Sequence, residues 1–497
     1  MSNSASLKID QEVLKLIPKQ MAVDLCVLPL SKDDGAIHIA MVENYDRKIL
    51  NELSFVLGKK IVVEIFPQDV LVEAIKQHYG FSNFETIKSE PEELNSEFVS
   101  LKEEEKKVEF SSDGSVVSLV NRIITDAIDM GASDIHVEPY EKQLRIRYRL
   151  DGVLHEIHQL SVNKAKPIIS RLKIMADLDI AEKRRPQDGR IRVKQKNRVI
   201  DIRVSTLPTD FGEKVVLRIL DKSQLQLDLS KLGFEENDLN KFKRVLHLPY
   251  GMVLVTGPTG SGKTTTLYAA LNYISSPEIN ITTIEDPVEY NLPGINQTQV
   301  RSDIGVTFAT ALRAILRQDP NVIMVGEIRD GETAEIAIRS ALTGHLVLST
   351  LHTNDAPSAV TRLVDMGVEP FLVASSLKMI LAQRLLRRLC NKCKMPVKPS
   401  QDIIQEIGAK NIKDNVVYYE PAGCPECNHL GYRGRTAAYE VLLLEEGLLE
   451  HIGKNVTATE VRTIAKKEGM LTLRQSALLK AERGETSLTE VVRETTQ

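Results

Sequence analysis

The stretch GMVLVTGPTGSGKTTT, residues 251–266, decides the fold of the largest part of the chain. A short apolar strand runs into a glycine-rich turn, and the pattern G-x-x-x-x-G-K-T is complete from Gly257 to Thr264. Because glycine has no Cβ, the backbone N–H groups of such a turn can close around phosphate oxygens. The helical segment that follows brings a helix N-terminus to the same place. The stretch therefore predicts a site for ATP or GTP.

Individual residues of this turn, called the phosphate loop below, have predicted roles. Lys263 is expected to reach the β- and γ-phosphates, and the Thr264 hydroxyl to ligate Mg²⁺. The residues expected to line the nucleotide are Gly257, Pro258, Thr259, Gly260, Ser261, Gly262, Lys263, Thr264 and Thr265. A Gly/Ser surface turn could match the pattern by chance, but the strand before it and the helix after it argue against that.

Length and composition indicate a multidomain protein. The chain has 497 residues, a net charge of −4 and five cysteines. The small net charge argues against general nucleic-acid binding. The N-terminus lacks the basic and apolar regions of a secretory signal, and no long apolar run predicts a membrane span. We therefore expect a cytoplasmic protein with reduced cysteines, in which Cys26 is a buried core thiol.

Periodicity and composition divide the chain into five segments. These are an N-terminal α/β module (1–80), an acidic linker (81–112), a second domain (113–221), a connector (222–240) and a nucleotide domain (241–497). In the N-terminal module, helices are predicted over 7–22, 45–58 and 69–79, with strands over 25–30, 36–42 and 61–66. This module carries no cluster of reactive residues, so it reads as a binding module or a structural cap.

The second domain is predicted to contain a helix, a hairpin with Asp151-Gly152 at its tip, and further strands. Its most basic segment is expected to be a turn that carries Lys183, Arg184, Arg185 and Arg190. Arg203 and Arg218 lie on the last two predicted strands. Arginines in strands most often face solvent, but several of them near a nucleotide domain also favour contact with phosphate.

The nucleotide domain alternates strands and helices, which predicts a mostly parallel sheet with helices on both faces. Its predicted strands are MVLVTG, INITTIED, VIMVGEI and HLVLSTLH. Amphipathic helices are predicted near the C-terminus, over 439–452, 459–469 and 471–484.

Acidic residues follow two of these strands. Ligands of parallel sheets bind beyond the carboxyl ends of the strands, which places Glu327 near the γ-phosphate or the Mg²⁺ shell. A hydrolytic ATPase needs such a group to orient or deprotonate water. Glu285 and Asp286 end another strand, and Asp286 suits a metal-bound water and a helix cap about equally.

Histidines and arginines add further candidates. His345 and His352 flank one buried strand beside Thr353 and Asn354, a pattern that suggests a polar network sensing the γ-phosphate rather than a metal site. Arg313 and Arg317 share one helix face at i, i+4 spacing. They could act across a subunit boundary as arginine fingers or form surface salt bridges, and the pattern favours neither.

Two C-x-x-C pairs form the second strong signal: Cys390 with Cys393, and Cys424 with Cys427. Two such knuckles can make a tetrahedral four-cysteine zinc site with no open position for water, so this zinc would be structural. A redox pair is the alternative, but neither pair opens a helix of a thioredoxin-like unit.

With these motifs in place, the chain resembles the secretion ATPase superfamily that drives type II secretion and type IV pili. GPTGSGKTTTLYAAL resembles its Walker A loop, ITTIEDPVEY its aspartate box, VIMVGE its Walker B strand and TGHLVLSTLHTNDA its histidine box. ASDIHVEP and RRPQDGRI resemble the domain that precedes its motor core. The cysteine module, at about 388–435, is typical of assembly and export ATPases of the family and absent from its retraction ATPases.

The resemblance implies a homo-hexamer of multidomain α/β chains, each with a RecA-like P-loop core, a preceding PAS-like domain and a zinc module. It implies that Arg203 and Arg218 contact the γ-phosphate, and that Arg313 and Arg317 are the motor-core arginines. Glu327 would be the catalytic carboxylate, and Glu285 would support Mg²⁺ or water. The implied cofactors are ATP, Mg²⁺ and Zn²⁺.

The implied function is that of a cytoplasmic ATP-hydrolysing motor of type II secretion, with a type IV pilus assembly ATPase as the alternative. Its partners would be the cytoplasmic domain of an inner-membrane adaptor, bound by the N-terminal module, and an inner-membrane platform protein. A nucleotide-gated scaffold with negligible turnover remains open. A nucleic-acid translocase is disfavoured because no aromatic–basic groove is evident.

Overall fold

The computed structural model describes residues 114–495, apart from 196–197, 222–225, 414 and 454–456, and parts of the segment 11–78. The predictions for the linker, for Cys26 and for the helix over 45–58 lie outside the described residues. The chain forms two compact units, residues 1–109 and 110–497. Each unit is described by itself.

The first unit contains a three-stranded sheet in the order β1-β2-β3. Its described elements are α1 (Gln11–Leu14), β1 (Leu28–Lys32), β2 (Ala36–Met41) and β3 (Lys60–Ile65). β2 pairs antiparallel with β1 and parallel with β3. Ile37 and Ile39 of β2 are buried, since alternate side chains of a strand face the same side. The three strands predicted in this module are confirmed.

The second domain is a six-stranded antiparallel sheet in the order β6-β5-β4-β9-β8-β7. Its elements are α2 (Gly114–Asp129), β4 (Asp134–Pro139), β5 (Gln143–Leu150), β6 (Val153–Ser161), α3 (Ala165–Met175), β7 (Gln187–Gln195), β8 (Arg198–Thr209) and β9 (Gly212–Leu220). Leu144, Ile146 and Tyr148 of β5 alternate into the same buried core as α2 and α3. The predicted hairpin at Asp151-Gly152 joins β5 to β6.

One prediction for this domain was wrong in detail. Arg190 belongs to β7 and pairs with Arg203 of β8, so it does not lie in the basic turn. β7 pairs with β8 along its whole length and therefore begins at Gln187. This pairing with a distant segment cannot be read from the local run of charged residues.

The nucleotide domain is built on a seven-stranded sheet in the order β12-β11-β13-β14-β10-β15-β18. Its strands are β10 (Gly251–Thr256), β11 (Ile281–Glu285), β12 (Asn296–Gln299), β13 (Val322–Val325), β14 (Leu346–Leu351), β15 (Leu377–Leu389) and β18 (Tyr432–Leu443). All neighbours are parallel except β15 and β18. The four predicted strands and the mostly parallel sheet are confirmed.

Helices cover both faces of this sheet, as predicted. They are α4 (Glu236–Leu246), α5 (Lys263–Ile274), α6 (Phe308–Ile315), α7 (Gly331–Leu342), α8 (Pro357–Asp365) and α9 (Pro370–Ser376). Met252 and Leu254 of β10 face the core that contains α7, whereas Val253 and Val255 face the core that contains α5. α4 begins at Glu236, inside the segment predicted as a connector.

A small insertion lies between β15 and β18, and a group of helices follows β18. These elements are β16 (Met395–Val397), α10 (Gln401–Ile407), β17 (Tyr418–Glu420), α11 (Glu446–Ile452), α12 (Ala458–Lys467), α13 (Leu473–Glu482) and α14 (Leu488–Thr495). The predicted helix over 439–452 was wrong in its first part, because residues 432–443 form β18 against β15. The apolar run YEVLLL suits either structure, and strand pairing decides it.

Candidate nucleotide site and cysteine cluster

The phosphate loop joins β10 to α5 at the carboxyl edge of the sheet. Gly257 has φ +144°, and a Cβ there would lie 2.6 Å from Ser261 Oγ and 2.7 Å from the Gln383 carbonyl oxygen. Gly262, with φ +89°, precedes the first residue of α5. Only glycine fits these positions, so the loop keeps its backbone N–H groups uncovered by side chains.

Gln383 of β15 holds the loop from the neighbouring strand, although no sequence motif includes this residue. Its side chain is buried, donates to the Ser261 carbonyl, and accepts a hydrogen bond of 2.8 Å from Thr266 Oγ1. The only local signal was a polar residue inside the apolar run LKMILAQRLL. The contact spans more than a hundred residues of sequence, which no short pattern shows.

Lys263 lies against its own loop. Its Nζ donates to the carbonyl oxygens of Gly257 (2.9 Å) and Pro258 (3.0 Å). Burial lowers the pKa of Lys263, Glu327 raises it and Arg384 lowers it. These charges act at a distance, since neither side chain is a hydrogen-bond partner of the ammonium group among the described residues. The ammonium is therefore available to an anion that enters the loop.

Glu327 follows β13 and lies at the same edge of the sheet. It accepts hydrogen bonds from Arg329 (2.6 Å) and from His352 Nε2 (3.2 Å). Burial raises the pKa of Glu327, but the hydrogen bonds from Arg329 and His352 outweigh this and hold it below the ordinary value. The carboxylate is thus ionised at neutral pH, as a group that orients or deprotonates water must be.

Glu285, at the end of β11, is occupied by the protein itself. Thr283 Oγ1 (2.6 Å) and Gln297 Nε2 (3.0 Å) donate to one carboxylate oxygen, and the Tyr268 hydroxyl donates to the other. The side chain is buried. These hydrogen bonds hold the carboxylate of Glu285 in place at the end of β11. None of these contacts bears on its predicted role in supporting Mg²⁺ or water, which stays a prediction.

The two candidate histidines lie at opposite ends of β14. His352 follows β14 at the phosphate-loop edge, where it contacts Glu327. His345 precedes β14, its carbonyl accepts from Gly251 N at the start of β10, and its ring contacts the Ser340 carbonyl. The structure therefore brings only His352 to the loop, because β10 and β14 run parallel.

The four candidate arginines contact other parts of the chain. Arg313, on the exposed face of α6, pairs with Glu332 (2.6 Å). The prediction that Arg317 shares this helix face was wrong, because α6 ends at Ile315 and Arg317 lies in the turn that follows, where it donates to the Arg313 carbonyl (2.7 Å).

On the second domain, Arg203 lies opposite Arg218 in neighbouring strands. Arg203 donates to the Val288 carbonyl (2.8 Å) and pairs with Glu289 (3.0 Å), just after β11. Arg218 pairs with Asp134 (3.1 Å). Neither arginine contacts the phosphate loop in this conformation of the described chain, so a role on phosphate stays a prediction.

The four cysteines come together, and none of them forms a disulfide. Their sulfurs lie within 4.8 Å of one another, with Sγ–Sγ distances of 3.9 Å (Cys390 to Cys424), 3.8 Å (Cys393 to Cys427) and 3.7 Å (Cys424 to Cys427). Four thiolates about 2.3 Å from a tetrahedral zinc lie about 3.8 Å apart. The cluster therefore has the size of a four-thiolate zinc site.

The cysteine module also touches the second domain. Asp151, at the tip of the β5–β6 hairpin, accepts a hydrogen bond of 2.7 Å from Gly434 N and lies 3.9 Å from Arg435. Leu430 packs against the core of the second domain. A cavity of about 310 Å³ lies beside this contact, lined by both regions.

The sheet order, the phosphate loop after β10 and the carboxylate after β13, two strands away, together define a P-loop nucleotide hydrolase. The Type II/IV secretion system protein family matches residues 109–493, and the MshEN domain matches residues 3–83. The chain therefore belongs to the Type II/IV secretion system protein family and is an ATP-hydrolysing enzyme of that family.

Named relatives come from two systems. The type II secretion system ATPase E of Vibrio cholerae is 50% identical over 407 residues, which cover 80% of this chain and 80% of the relative. The type IV pilus assembly ATPase PilB of Myxococcus xanthus is 48% identical over 500 residues, which cover 99% and 88%. These similarities confirm the predicted superfamily.

Solved structures support the fold. The pilus retraction motor PilT with bound ADP is 27% identical with a TM-score of 0.52, covering 76% of this chain and 96% of that one. The Legionella pneumophila ATPase DotB, at 21% identity, has a TM-score of 0.56 over 77% of this chain and 96% of that one.

No helix among the described residues is long and apolar enough to span a bilayer.

Proposed function

We propose that this chain is the ATP-hydrolysing motor of a type II secretion system. The proposal rests on the placement of Lys263 and Glu327 beyond the carboxyl ends of strands of one parallel sheet, with Lys263 in the phosphate loop after β10 and Glu327 after β13. The 50% identity to the type II ATPase of Vibrio cholerae supports the choice of system.

In the proposed reaction, water attacks the γ-phosphorus of ATP and the bond to the bridging β,γ-oxygen breaks. Glu327 accepts a proton from the water, and His352 and Arg329 hold the carboxylate in place. The loop N–H groups and Lys263 bind the phosphates. Thr264 would hold Mg²⁺, which would neutralise negative charge on the phosphates.

We further propose that the chain works as a homo-hexamer, in which the PAS-like second domain folds over the nucleotide. Arg203 and Arg218 would then form a movable second wall of the site, and Arg313 and Arg317 would act at a subunit boundary. In support of this, Arg203 already contacts the segment that follows β11. Nucleotide-driven closing and opening of the domain would perform the mechanical work.

The four-cysteine cluster is proposed to hold one structural zinc ion. All four positions of a tetrahedral site would be filled by Cys390, Cys393, Cys424 and Cys427, so the metal would have no open site for catalysis. Its proposed role is to keep β15, the start of β18 and the insertion between them in one arrangement.

For partners, we propose that the N-terminal module binds the cytoplasmic domain of an inner-membrane adaptor. The motor would thereby be cytoplasmic but peripherally attached to the inner membrane, where it would drive pseudopilus assembly through a platform protein. No part of the proposal involves nucleic acid.

ATP turnover of the purified full chain tests the enzymatic part. Glu327→Gln is expected to keep ATP binding and to lower the rate by roughly 100-fold or more, because the proton acceptor is lost. Glu335→Gln, on the exposed face of α7, is the matched control and should hydrolyse ATP like the wild type. Wild-type turnover in Glu327→Gln would exclude Glu327 as the base.

A type IV pilus assembly ATPase is the second candidate. The observation in its favour is that the similarity to PilB of Myxococcus xanthus covers 99% of this chain, including the N-terminal module. Binding of the full chain to the type II adaptor's cytoplasmic domain or to its pilus counterpart would separate the two. A chain of residues 110–497, which forms a compact unit, is the control and should bind neither.

A further inference from the structure

Arg384 lies beside the phosphate loop, although no sequence motif pointed to it. β10 runs parallel to β15 with Thr256 opposite Ala382, so Arg384 is two residues beyond the level at which β10 ends. The preceding residue, Gln383, holds the loop through Ser261 and Thr266. Arg384 is therefore fixed at the carboxyl edge of the sheet, where ligands of parallel sheets bind.

The side chain of Arg384 crosses above β10. Its Nη2 contacts the carbonyl oxygen (3.2 Å) and Oδ1 (3.4 Å) of Asn354, a residue that follows β14. The strand order places β10 between β14 and β15, which are about 10 Å apart at ordinary strand spacing. A guanidinium that reaches from one to the other must pass over the end of β10, which is the start of the phosphate loop.

The charge of Arg384 has no close counter-ion. Among the described residues, its hydrogen-bond partners are the carbonyl of Gln383 (3.3 Å) and Asn354, and none of its contacts is an ion pair. These are long, weak hydrogen bonds to neutral acceptors. Lys263 is the second such cation, and the positive charge of Arg384 contributes to lowering the pKa of Lys263. Two half-buried cations without carboxylate partners form a site for a polyanion.

The direction of approach indicates which phosphate Arg384 would meet. Asn354 lies two residues after His352, whose ring contacts Glu327, the proposed acceptor of the water proton. The guanidinium of Arg384 thus ends on the side of the attacking water, where the terminal phosphate of ATP must lie.

We propose that Arg384 contacts the γ-phosphate of ATP bound to the same chain and releases Asn354 when it does so. The inference rests on the proposed binding of ATP at residues 257–264. A phosphate oxygen outcompetes the Asn354 oxygens because it carries the opposite charge, so that the guanidinium forms an ion pair with it instead of a hydrogen bond to a neutral acceptor. The segment 352–355 would thereby differ between the ATP and ADP states.

The test is the affinity of the full chain for ADP and for a non-hydrolysable ATP analogue, both with Mg²⁺. Arg384→Gln is expected to bind the analogue roughly tenfold to a hundredfold more weakly, while its affinity for ADP stays within about threefold of wild type. Arg388→Gln, on the same strand but exposed, is the matched control and should bind both like the wild type.

Asn354→Ala separates contact with phosphate from a merely structural role. If Arg384 touches the phosphate, this variant loses much less affinity for the analogue than Arg384→Gln does, because the guanidinium is still present. If Arg384 acts only by holding Asn354, the variant shows the same loss as Arg384→Gln, and the inference is overturned. An equal loss of both nucleotides in Arg384→Gln with an unchanged thermal transition also overturns it.

If Arg384→Gln lowers both the thermal transition and the affinity for both nucleotides, a second variant, Arg384→Lys, tests the inference. Lysine keeps the charge without the planar pair of donors, so the preference for the analogue over ADP should fall severalfold, and an unchanged preference refutes the inference. If the wild-type chain binds neither nucleotide, the proposed function itself fails. If the wild type binds both nucleotides, Lys263→Ala abolishes this binding and Arg384→Gln leaves it unaffected, then only the inference about Arg384 is rejected.

Discussion

Glu490 forms a buried ion pair that ties the C-terminal helix α14 to β15 beside the cysteine module. Its side chain is fully buried, and Arg387 is 17% exposed. Arg387 donates to both carboxylate oxygens through Nε (3.1 Å each) and through Nη2 (2.7 Å), and its backbone N donates as well (3.0 Å). The guanidinium also lies 4.0 Å from the centre of the Tyr432 ring.

Replacing Glu490 with Gln removes the charge but keeps an acceptor for the Arg387 backbone N–H. The guanidinium is then left largely buried without a counter-ion, a situation that costs about 3–5 kcal/mol. Since about 1.4 kcal/mol is a factor of ten, amides of α14 and of the adjacent part of β15 should exchange hydrogen roughly a hundredfold faster or more. Local exchange is the right assay because a multidomain chain has no single unfolding free energy.

Two further variants test whether this buried ion pair stabilises the region. Glu426→Gln breaks the exposed pair with Arg433 and should change exchange by less than about tenfold, since surface pairs contribute about 1 kcal/mol or less. Arg387→Met combined with Glu490→Gln removes the orphaned charge and should exchange more slowly than Glu490→Gln alone. If Glu490→Gln behaves like Glu426→Gln, the pair does not stabilise this region as argued.

Three other outcomes are expected. Removal of metal by a chelator, or Cys427→Ser, should release about one zinc per chain and lower the thermal transition, and a metal-free wild type with the same transition would contradict this. Asp151→Ala should speed hydrogen exchange of the Gly434 amide severalfold, whereas Asp151→Asn, which keeps an acceptor, should change it little. The lowered pKa of Glu327 means that its ion pairs stabilise the fold above pH 4.5 and are lost as the pH falls through the lower folded value; Arg329→Gln should raise the pKa of Glu327, as measured by NMR titration.

The resemblance predicted the family, and local patterns predicted the parts of the site that are contiguous in sequence. The strand–loop–helix around residues 251–266 and the hairpin at Asp151-Gly152 depend on neighbouring residues alone, because backbone conformation and side-chain alternation are set over a few positions. The two cysteine pairs were found by spacing, although their meeting needed the antiparallel pairing of β15 with β18.

Contacts between distant segments were decided only by the tertiary structure. Gln383 contacts the phosphate loop and Arg384 lies beside it because β15 is next to β10, and no local pattern states which strands are neighbours. Likewise, the resemblance implies that Glu285 supports Mg²⁺ or water, but only the fold shows that Thr283, Gln297 and Tyr268 surround its carboxylate. Sequence alone determined which residues could form a phosphate loop and a metal cluster. Strand order determined which side chains stand around them, because pairing brings together residues that lie far apart in the chain.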